Sequence, residues 1–263
     1  MLDVADLLAR FDRARRRDDF DGAPAERDGP VVRVDYAHGG FIATPSDSGL
    51  RGADLDALIA RQRDHFTALG LPVEWKTYAY DEPADLPQRL EAAGFVAEEA
   101  ETVVVGSVDA LSGHPADVDG VTIRETADPV DFAAIGALHT EVWGEDWTWV
   151  AEDLRDRAAR LGPAGFRVLV AEADGVLVSA AWLVMRSGTE FASLWGGSTR
   201  EAARGRGIYR ALDARRAAIA RDAGYAFLQV DASEMSRPIL ESLGFVALTT
   251  TTPYVHPAPR PAG

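Results

Sequence analysis

The segment between Trp195 and Tyr209 alternates arginine with glycine just before a long helical pattern. It reads Arg-Gly-Arg-Gly over 204–207, and a helix is predicted over 208–222. The first amides of a helix have no partner within the helix and carry a partial positive charge, and glycine lets such amides approach an anion closely. Between residues 200 and 222 there are seven arginines and three acidic residues, in a chain of net charge −15. These residue types predict a turn that binds a polyanion such as a phosphorylated ligand.

Two common phosphate-binding motifs do not fit this turn. The motif G-x-x-x-x-G-K-[S/T] needs a lysine, which is absent here, and G-x-G-x-x-G follows the first strand of a parallel unit, whereas a meander is predicted before this loop. The segment instead resembles the signature of the GNAT acetyltransferase superfamily, [Arg/Gln]-x-x-Gly-x-[Gly/Ala]. Arg204 and Gly207 match its first and fourth positions, and Tyr209 departs from it at the sixth.

This resemblance implies an α/β (α+β) fold in which helices flank a mixed, mostly antiparallel sheet. It implies acetyl-coenzyme A as cosubstrate, with pyrophosphate on the amides of the turn and with Thr199 bonded to the pantetheine arm. The residues expected to bind the cosubstrate are Thr199, Arg204, Gly205, Arg206, Gly207, Ile208 and Tyr209.

The hydrophobic periodicity of residues 121–255 predicts the element order β-α-α-β-β-β-α-β-α-β. The fourth strand of this order is predicted over Glu190–Trp195 and is followed by a loop over 196–207. Asp128 is expected to cap the first helix, with Pro129 at its first position. Asp174-Gly175 predicts a two-residue hairpin turn. This order is also that of the GNAT fold.

An internal repeat indicates two tandem units. The hexapeptide LEAAGF at 90–95 resembles LESLGF at 240–245, and each follows a helix and a strand-like run. A shared helix ending with glycine is the simpler explanation of the hexapeptide alone, but the matching order of the flanking elements favours duplication. We therefore predict a GNAT-like unit over 1–108, a Gly-, Pro- and Asp-rich linker over 109–119, and an acetyl-CoA-binding unit over 120–263.

The N-terminal unit is predicted to be a degenerate copy that does not bind coenzyme A. The corresponding turn at 48–54 reads SGLRGAD, which lacks one glycine and places Asp54 where a pyrophosphate would lie.

Acetyl transfer needs a base for the amine and a donor for the leaving thiolate. Leu240 stands where the family often has a tyrosine acid. Ser236 and Tyr254 are the alternative donors, and Glu141 is the candidate base, because the first helix of this fold lines the acceptor site. Asp231 is a second candidate base, although a strand-end cap is its simpler role.

Three tryptophans and three carboxylates lie within the segment from Glu141 to Trp149. They form either a wall that binds a cationic acceptor or an ordinary mixture of core and solvated side chains. His139 has no further ligands at metal-binding spacing, so no metal site is expected.

The composition narrows the remaining classes of function. The chain has 263 residues and no cysteine, which excludes thiol catalysis and disulfide scaffolds. Its negative charge argues against nucleic acid and membrane surfaces, and no secretory signal or membrane span is expected. Together with these exclusions, the resemblance to the GNAT superfamily implies a cytoplasmic monomer or homodimer that acetylates an amine of a small molecule or peptide. A non-catalytic acyl-CoA-binding scaffold and a tandem aminoacyl or peptidyl transferase stay open as alternatives.

Overall fold

The computed structural model describes residues 3–15, 20, 23–36 and 38–258. Its contacts divide the chain into two compact units. Unit 1 comprises Met1–Val103, Asp231–Glu234 and Ala247–Gly263, and unit 2 comprises Val104–Val230 and Met235–Val246. These ranges differ from the predicted 1–108 and 120–263 because the last strand pairs within unit 1; the domain division itself stays a prediction.

Unit 1 is built on a sheet in which β1, β2, β3, β4 and β12 are neighbours in that order. All these pairs are antiparallel except β3 with β4, which run parallel. Its elements are α1 (Val4–Arg15), β1 (Ala25–Asp28), β2 (Val31–Tyr36), β3 (Gly39–Ala43), α2 (Gly52–Leu69), β4 (Val73–Tyr78), α3 (Leu86–Ala92), β5 (Val96–Ala97), the first residues of β6 (Glu101–Ser107), and β12 (Val246–His256).

The core of unit 1 forms where α2 covers one face of this sheet. Leu58, Ile59 and Phe66 of α2 are fully buried against Ile42 and Trp75 of the strands. The spacing of the α2 residues is that of one helical face, and alternate strand residues face it. Amphipathic patterning alone therefore accounts for this packing.

Unit 2 has a sheet with the order β11, β10, β9, β8 and β7, in which only the β10–β11 pair is parallel. Its elements are α4 (Val108–Ser112), β7 (Thr122–Thr126), α5 (Pro129–Trp143), α6 (Val150–Gly165), β8 (Phe166–Ala173), β9 (Val176–Met185), β10 (Phe191–Thr199), α7 (Ile208–Asp222), β11 (Phe227–Ala232, whose last two residues group with unit 1) and α8 (Arg237–Ser242).

The two faces of the unit 2 sheet carry different helices. Val170 and Trp182 face α5 and α6, whereas Leu169 and Ala171 face α7. The predicted element order and the mostly antiparallel sheet flanked by helices are confirmed. The part of the chain that the structure describes contains no helix long and apolar enough to cross a membrane.

Local sequence signals act as expected at two boundaries of unit 2. The Asp128 side chain accepts a hydrogen bond from the Val130 amide at 2.9 Å and caps α5, with Pro129 in the first turn. Asp174 and Gly175 both have positive φ, 51° and 73°, and join β8 to β9. The predicted linker, by contrast, contains most of α4, whose Leu111 is buried.

The repeated order helix–strand–helix is present in the structure as α2-β4-α3 and α7-β11-α8. Gly94 after α3 and Gly244 after α8 have φ of 92° and 94°, the left-handed conformation that ends a helix. Common ancestry of the two segments stays a prediction.

The close contact between Gly40 and Phe66 allows the packing of the unit 1 core to be tested by mutation. A Cβ at this position would lie 2.1 Å from Phe66 Cε1, so Gly40→Ala should lower the free energy of unfolding by about 1–3 kcal/mol, measured by chemical denaturation. Adding Phe66→Leu removes the clashing ring atoms. The double variant should therefore lose less stability than the two single variants together; strictly additive losses would contradict this packing.

Candidate active site

The N-terminal turn of α7 is open to a ligand. Gly205 and Gly207 have φ of 76° and 85°, and a Cβ on either would meet nothing within 4 Å. A cavity of about 450 Å³ adjoins the turn and is lined by Arg206, Gly207 and Arg210, with His114, Asp117, Asp119 and Ser242 among the other lining residues. Left-handed glycines, helix-start amides and arginines therefore meet at one concave surface, which suits an anion.

Two of the predicted arginines are anchored to the backbone around the turn. Arg204 Nε donates to the Thr199 carbonyl at 3.2 Å, and Arg206 Nη2 donates to the Asp119 carbonyl at 3.1 Å. Both side chains remain exposed. The Thr199 hydroxyl lies 2.8 Å from Ser179 Oγ on the neighbouring strand. The structure thus brings Thr199 and the turn residues together at the end of β10, and their role in binding the cosubstrate stays a prediction.

A bulge interrupts β10 just before Thr199. Trp195 pairs with Trp182 and Ser198 pairs with Ala180, so two residues of β10 stand opposite one residue of β9. The sequence prediction ended this strand at Trp195, which is wrong because the strand continues through the bulge to Thr199. Consecutive glycines in a sequence usually predict a loop. Here they allow aromatic side chains to approach the strand backbone closely within the sheet.

The two bulge glycines lie against aromatic rings. A Cβ on Gly196, whose φ is 62°, would lie 1.9 Å from the Trp182 ring, and a Cβ on Gly197 would lie 2.7 Å from the Tyr209 ring. Tyr209 therefore packs beneath the bulge, and burial raises the pKa of its hydroxyl. This contact explains how the tyrosine that departs from the family signature is accommodated.

Side chains from both neighbouring helices bond to the bulge. Arg216 Nη1 donates to the carbonyls of Trp182 and Trp195 at 3.0 and 3.2 Å, and its guanidinium forms an ion pair with the buried Asp213. His139 Nε2 lies 3.2 Å from the Gly196 carbonyl. Because that carbonyl can only accept, Nε2 carries the proton.

Burial perturbs the titration of two of these groups. It raises the pKa of Asp213 to about 6, although the Arg216 guanidinium opposes the shift. It lowers the pKa of His139 below the usual histidine value, against the opposing effect of the Gly196 carbonyl. His139 is thus a neutral hydrogen-bond donor at neutral pH. The sequence analysis considered His139 only as a metal ligand. The described residues contain no group of side chains that could bind a metal ion.

Glu141 lies at the end of α5 beside β10. Its carboxylate pairs with Arg200 Nη1 at 2.7 Å, and the side chains are 51% and 34% exposed. Arg200 directly follows Thr199. The structure therefore places the candidate base next to the predicted cosubstrate strand, but with a guanidinium as its partner.

The aromatic segment after Glu141 divides into buried and exposed side chains. Trp143 and Trp149 are 46% and 40% exposed, whereas Trp147 is mostly buried and lies 5.4 Å from the Trp149 ring. Trp143 Nε1 donates to Ser198 Oγ at 3.0 Å, which fixes this exposed ring against β10. Asp146 accepts hydrogen bonds from the Thr148 amide and hydroxyl, which lower the pKa of its carboxyl group. These bonds give Asp146 a structural role in the turn after α5.

The remaining predicted residues are divided between the two units. Ser236 precedes α8 in unit 2 and is half-buried, and its carbonyl accepts the amides of Ile239 and Leu240. Leu240 is fully buried in the core. Tyr254 belongs to unit 1, where it pairs with Trp75 in the hydrophobic core.

Asp231 belongs to unit 1 as well. It lies 2.7 Å from Lys76 Nζ, and Glu101 lies 3.5 Å from the same nitrogen. Burial opposes the charge of Lys76, but Asp231 and Glu74 outweigh this effect and raise the pKa of the lysine. Asp231 is thus the counterion of a buried lysine, a pairing of residues 155 positions apart that the sequence could not reveal.

The lowered pKa of His139 predicts a pH dependence of stability. Below about pH 6.5 the unfolded chain binds a proton that the folded His139 resists, so the free energy of unfolding falls as the pH falls. His139→Phe removes this group and should reduce the loss of stability between pH 7.5 and 5.5, measured by urea denaturation at each pH. An unchanged loss in the variant would show that His139 titrates normally when folded.

Comparison with known proteins shows which family the sequence around this site is similar to. The sequence model of the "Acetyltransferase (GNAT) family" matches residues 132–245, which include most of α5 and all of β10, α7 and α8. No curated protein matches the sequence significantly.

Solved structures share the fold across nearly the whole chain. A GCN5-related N-acetyltransferase from Kribbella flavida has a TM-score of 0.68 and 17% identity, covering 100% of this chain and 97% of the other. A functionally unknown protein from Staphylococcus epidermidis has a TM-score of 0.67 and 12% identity, covering 91% and 96%. A tandem GNAT protein from the clavulanic acid biosynthesis pathway has a TM-score of 0.61 and 16% identity, covering 90% and 82%. At these identities the structural likeness shows the fold alone, and the match of residues 132–245 to the family model confirms the resemblance to the GNAT acetyltransferase family read from the turn.

Proposed function

We propose that the protein transfers an acetyl group from acetyl-coenzyme A to an amine of a small molecule or peptide. The observation that carries this proposal is the pair of left-handed glycines at the start of α7, flanked by exposed arginines and placed at the end of a bulged strand within a GNAT domain.

The turn fits the phosphates of coenzyme A. No Cβ fills the concave backbone at Gly205 and Gly207, and the adjoining cavity of about 450 Å³ is large enough for part of a nucleotide. The amides from Arg204 to Tyr209 would hold the pyrophosphate, and Thr199 would meet the pantetheine arm. When bound, acetyl-CoA supplies the acetyl group as a thioester.

The acceptor would approach from the end of α5. Glu141 is the proposed base that removes a proton from the acceptor ammonium, and the exposed rings of Trp143 and Trp149 would form the wall beside it. Ser236 is the proposed donor to the leaving sulfur. Tyr254, the other candidate donor, lies in the core of unit 1, where burial raises its pKa.

The N-terminal repeat is proposed not to bind coenzyme A. In its turn, Asp47 Oδ1 accepts the Gly49 amide at 2.8 Å and also binds Arg51 at 2.9 Å. A carboxylate of the chain itself thus accepts an amide of the turn. Arg15 donates to the Thr44 carbonyl, just after β3, and pairs with Asp81, after β4, at 2.8 Å. Both contacts support a stoichiometry of one coenzyme A per chain.

A non-catalytic coenzyme A-binding protein is the second candidate. The observation that favours it is the buried Leu240 at the position where the family often carries its acid. Calorimetric titration with coenzyme A, followed by release of free thiol from acetyl-CoA over a panel of amines, separates the two functions. One-to-one binding with amine-dependent thiol release supports the transferase; binding without release on any amine supports the scaffold.

Gly207→Glu is expected to abolish coenzyme A binding in calorimetry, because its carboxylate would lie at the proposed pyrophosphate position and repel it. Gly207→Ala is the matched control, since it imposes the same strained φ of 85° without the charge. It should retain most of the affinity. Equal affinities of the two variants would remove this turn from the binding site.

Glu141→Gln is expected to lower kcat by roughly 10²–10⁴-fold if Glu141 is the general base, while coenzyme A affinity stays unchanged. The loss should shrink at high pH, where more of the amine is already neutral. Glu152→Gln, which neutralises an exposed carboxylate on α6, is the control. A raised KM at constant kcat would instead assign Glu141 to binding a cationic acceptor.

A further inference from the structure

The ion pair of Glu141 and Arg200 brings both signs of charge to the proposed acceptor site of unit 2. We propose that this pair and Trp143 bind a free α-amino acid with a large apolar side chain, and that this amino acid is the acetyl acceptor. The inference rests on the proposed function and names the class of its acceptor. Three features of the molecule support it: a guanidinium held in place, an open edge on each charged group, and an aromatic ring beside them.

Strand β9 holds the guanidinium of Arg200 in place. Arg200 Nε donates to the Leu177 carbonyl at 3.0 Å, and the Arg200 amide donates to the Val178 carbonyl at 2.9 Å. Nη1 lies 2.7 Å from Glu141 Oε2 near the end of α5. An ion pair between two mobile surface side chains contributes little to stability. Here the backbone already orders the guanidinium, so binding a ligand to it costs less conformational entropy.

Each charged group of the pair has an edge that is open to a ligand. The side chains of Glu141 and Arg200 are 51% and 34% exposed. Among the described residues, neither Glu141 Oε1 nor Arg200 Nη2 has a hydrogen-bond partner. A guanidinium offers only donors, and an ionised carboxylate offers only acceptors. The pair therefore presents an anionic and a cationic group side by side.

An α-amino acid matches this pair because its own two charges lie on neighbouring groups. Its ammonium and its carboxylate are attached to the same carbon atom, so the distance between them is close to that of an ion pair. With the ammonium on Glu141 and the carboxylate on Arg200, each of the four charges has opposite charges as neighbours. A simple amine would compete with Arg200 for Glu141 and give the guanidinium no new partner. The acceptor that compensates both groups is thus a zwitterion.

The ring of Trp143 lies on the same stretch of β10 as the ion pair. Trp143 Nε1 donates to Ser198 Oγ at 3.0 Å, and the ring is 46% exposed. Ser198 and Arg200 are two positions apart in an extended segment, so their side chains leave the same face. An amino acid held by its charges would rest its side chain on this ring, which favours a large apolar side chain.

The same contacts place the reacting nitrogen beside the proposed base. The acceptor ammonium gives one proton to Glu141, and its nitrogen forms the amide bond to the acetyl carbon as the C–S bond of the thioester breaks. The second proton that the nitrogen loses replaces the acetyl group on the sulfur. The products are an N-acetyl amino acid and coenzyme A.

The experiment compares three acceptors by release of free thiol from acetyl-CoA. L-phenylalanine, L-phenylalanine amide and phenethylamine share the ring and the amine, but only the first has a carboxylate. The amide also resembles the first residue of a peptide. Each variant is compared with the wild type as a ratio of kcat/KM values, so that the intrinsic reactivity of each amine cancels.

Three variants test the role of Arg200. Arg200→Gln removes the charge, whereas Arg200→Lys keeps the charge and loses the forked donors. Arg167→Gln is the matched control, because Arg167 lies 3.3 Å from Glu125 in a pair whose side chains are 34% and 52% exposed. This control pair joins β8 to β7 and has the same exposure as the pair under test.

We expect the wild type to prefer L-phenylalanine over both analogues by at least about tenfold in kcat/KM, the effect of one hydrogen bond between charged groups. Arg200→Gln should remove most of this preference, mainly by raising the KM for L-phenylalanine. Arg200→Lys should keep part of it, and Arg167→Gln should keep all of it.

L-alanine as acceptor tests the role of Trp143. Trp143→Ala should lower kcat/KM about tenfold for L-phenylalanine and less than about threefold for L-alanine, because only the larger side chain reaches the ring. Equal losses for the two amino acids would exclude contact between the acceptor side chain and Trp143 and so contradict this part of the inference.

A wild-type protein that acetylates phenethylamine or phenylalanine amide as efficiently as phenylalanine would overturn the inference, and so would an Arg200→Gln variant that keeps the preference. Both results leave the proposed acetyl transfer to amines intact. Binding of coenzyme A without thiol release on any amine or amino acid would overturn the proposed function and the inference with it.

Discussion

The buried ion pair of Asp213 and Arg216 is the interaction on which the site in unit 2 depends. Removing two charges from water costs several kcal/mol per ion, and their attraction offsets this only when the remaining donors and acceptors are bonded. Here two backbone carbonyls accept from Arg216, whereas Asp213 Oδ2 and Arg216 Nε have no hydrogen-bond partner among the described residues. Burying this ion pair therefore costs free energy of folding. Such a cost is expected where the geometry of the strand that it holds, here β10, matters for function.

Helix α7 contributes to both parts of the candidate site, which are the glycine turn at its N-terminus and the bulge in β10. Its N-terminal turn supplies the left-handed glycines, and its inner face carries Tyr209, Asp213 and Arg216 beneath the bulge. A shift of α7 along its axis would move its N-terminal turn and the bulge together. The geometry of the proposed phosphate site and that of the bulge in β10 are thus both set by the packing of one helix.

The two units contain similar secondary-structure elements, but the turn before the corresponding helix differs between them. In unit 2 the turn before α7 is left open, whereas in unit 1 the corresponding turn before α2 is bonded to Asp47 of the same chain. Arg15 stacks on Tyr78 at 3.8 Å and pairs with Asp81, whose pKa burial raises to about 6 despite the guanidinium. Polar side chains of the chain itself thus satisfy groups in unit 1 that a ligand could otherwise have bound.

Local patterns in the sequence were sufficient for much of the fold. Hydrophobic periodicity placed the helices and strands of residues 121–255, Asp128 and Pro129 marked the start of α5, and Asp174-Gly175 marked the hairpin. The glycine and arginine spacing at 204–207 located a turn with left-handed glycines at the start of α7, and its role in binding an anion stays a prediction.

Tertiary structure alone decided the rest, because the deciding partners are far apart in the chain. The glycines at 196 and 197 read as a loop until Trp182 and Tyr209 are seen packed against them. Asp231 could be a base or a cap until Lys76 is found beside it, and Tyr254 could be an acid until β12 places it in the core of unit 1. Spacing along a chain encodes helices, turns and strand faces, whereas a buried charge or a strand bulge is defined by partners that only folding brings within hydrogen-bond distance.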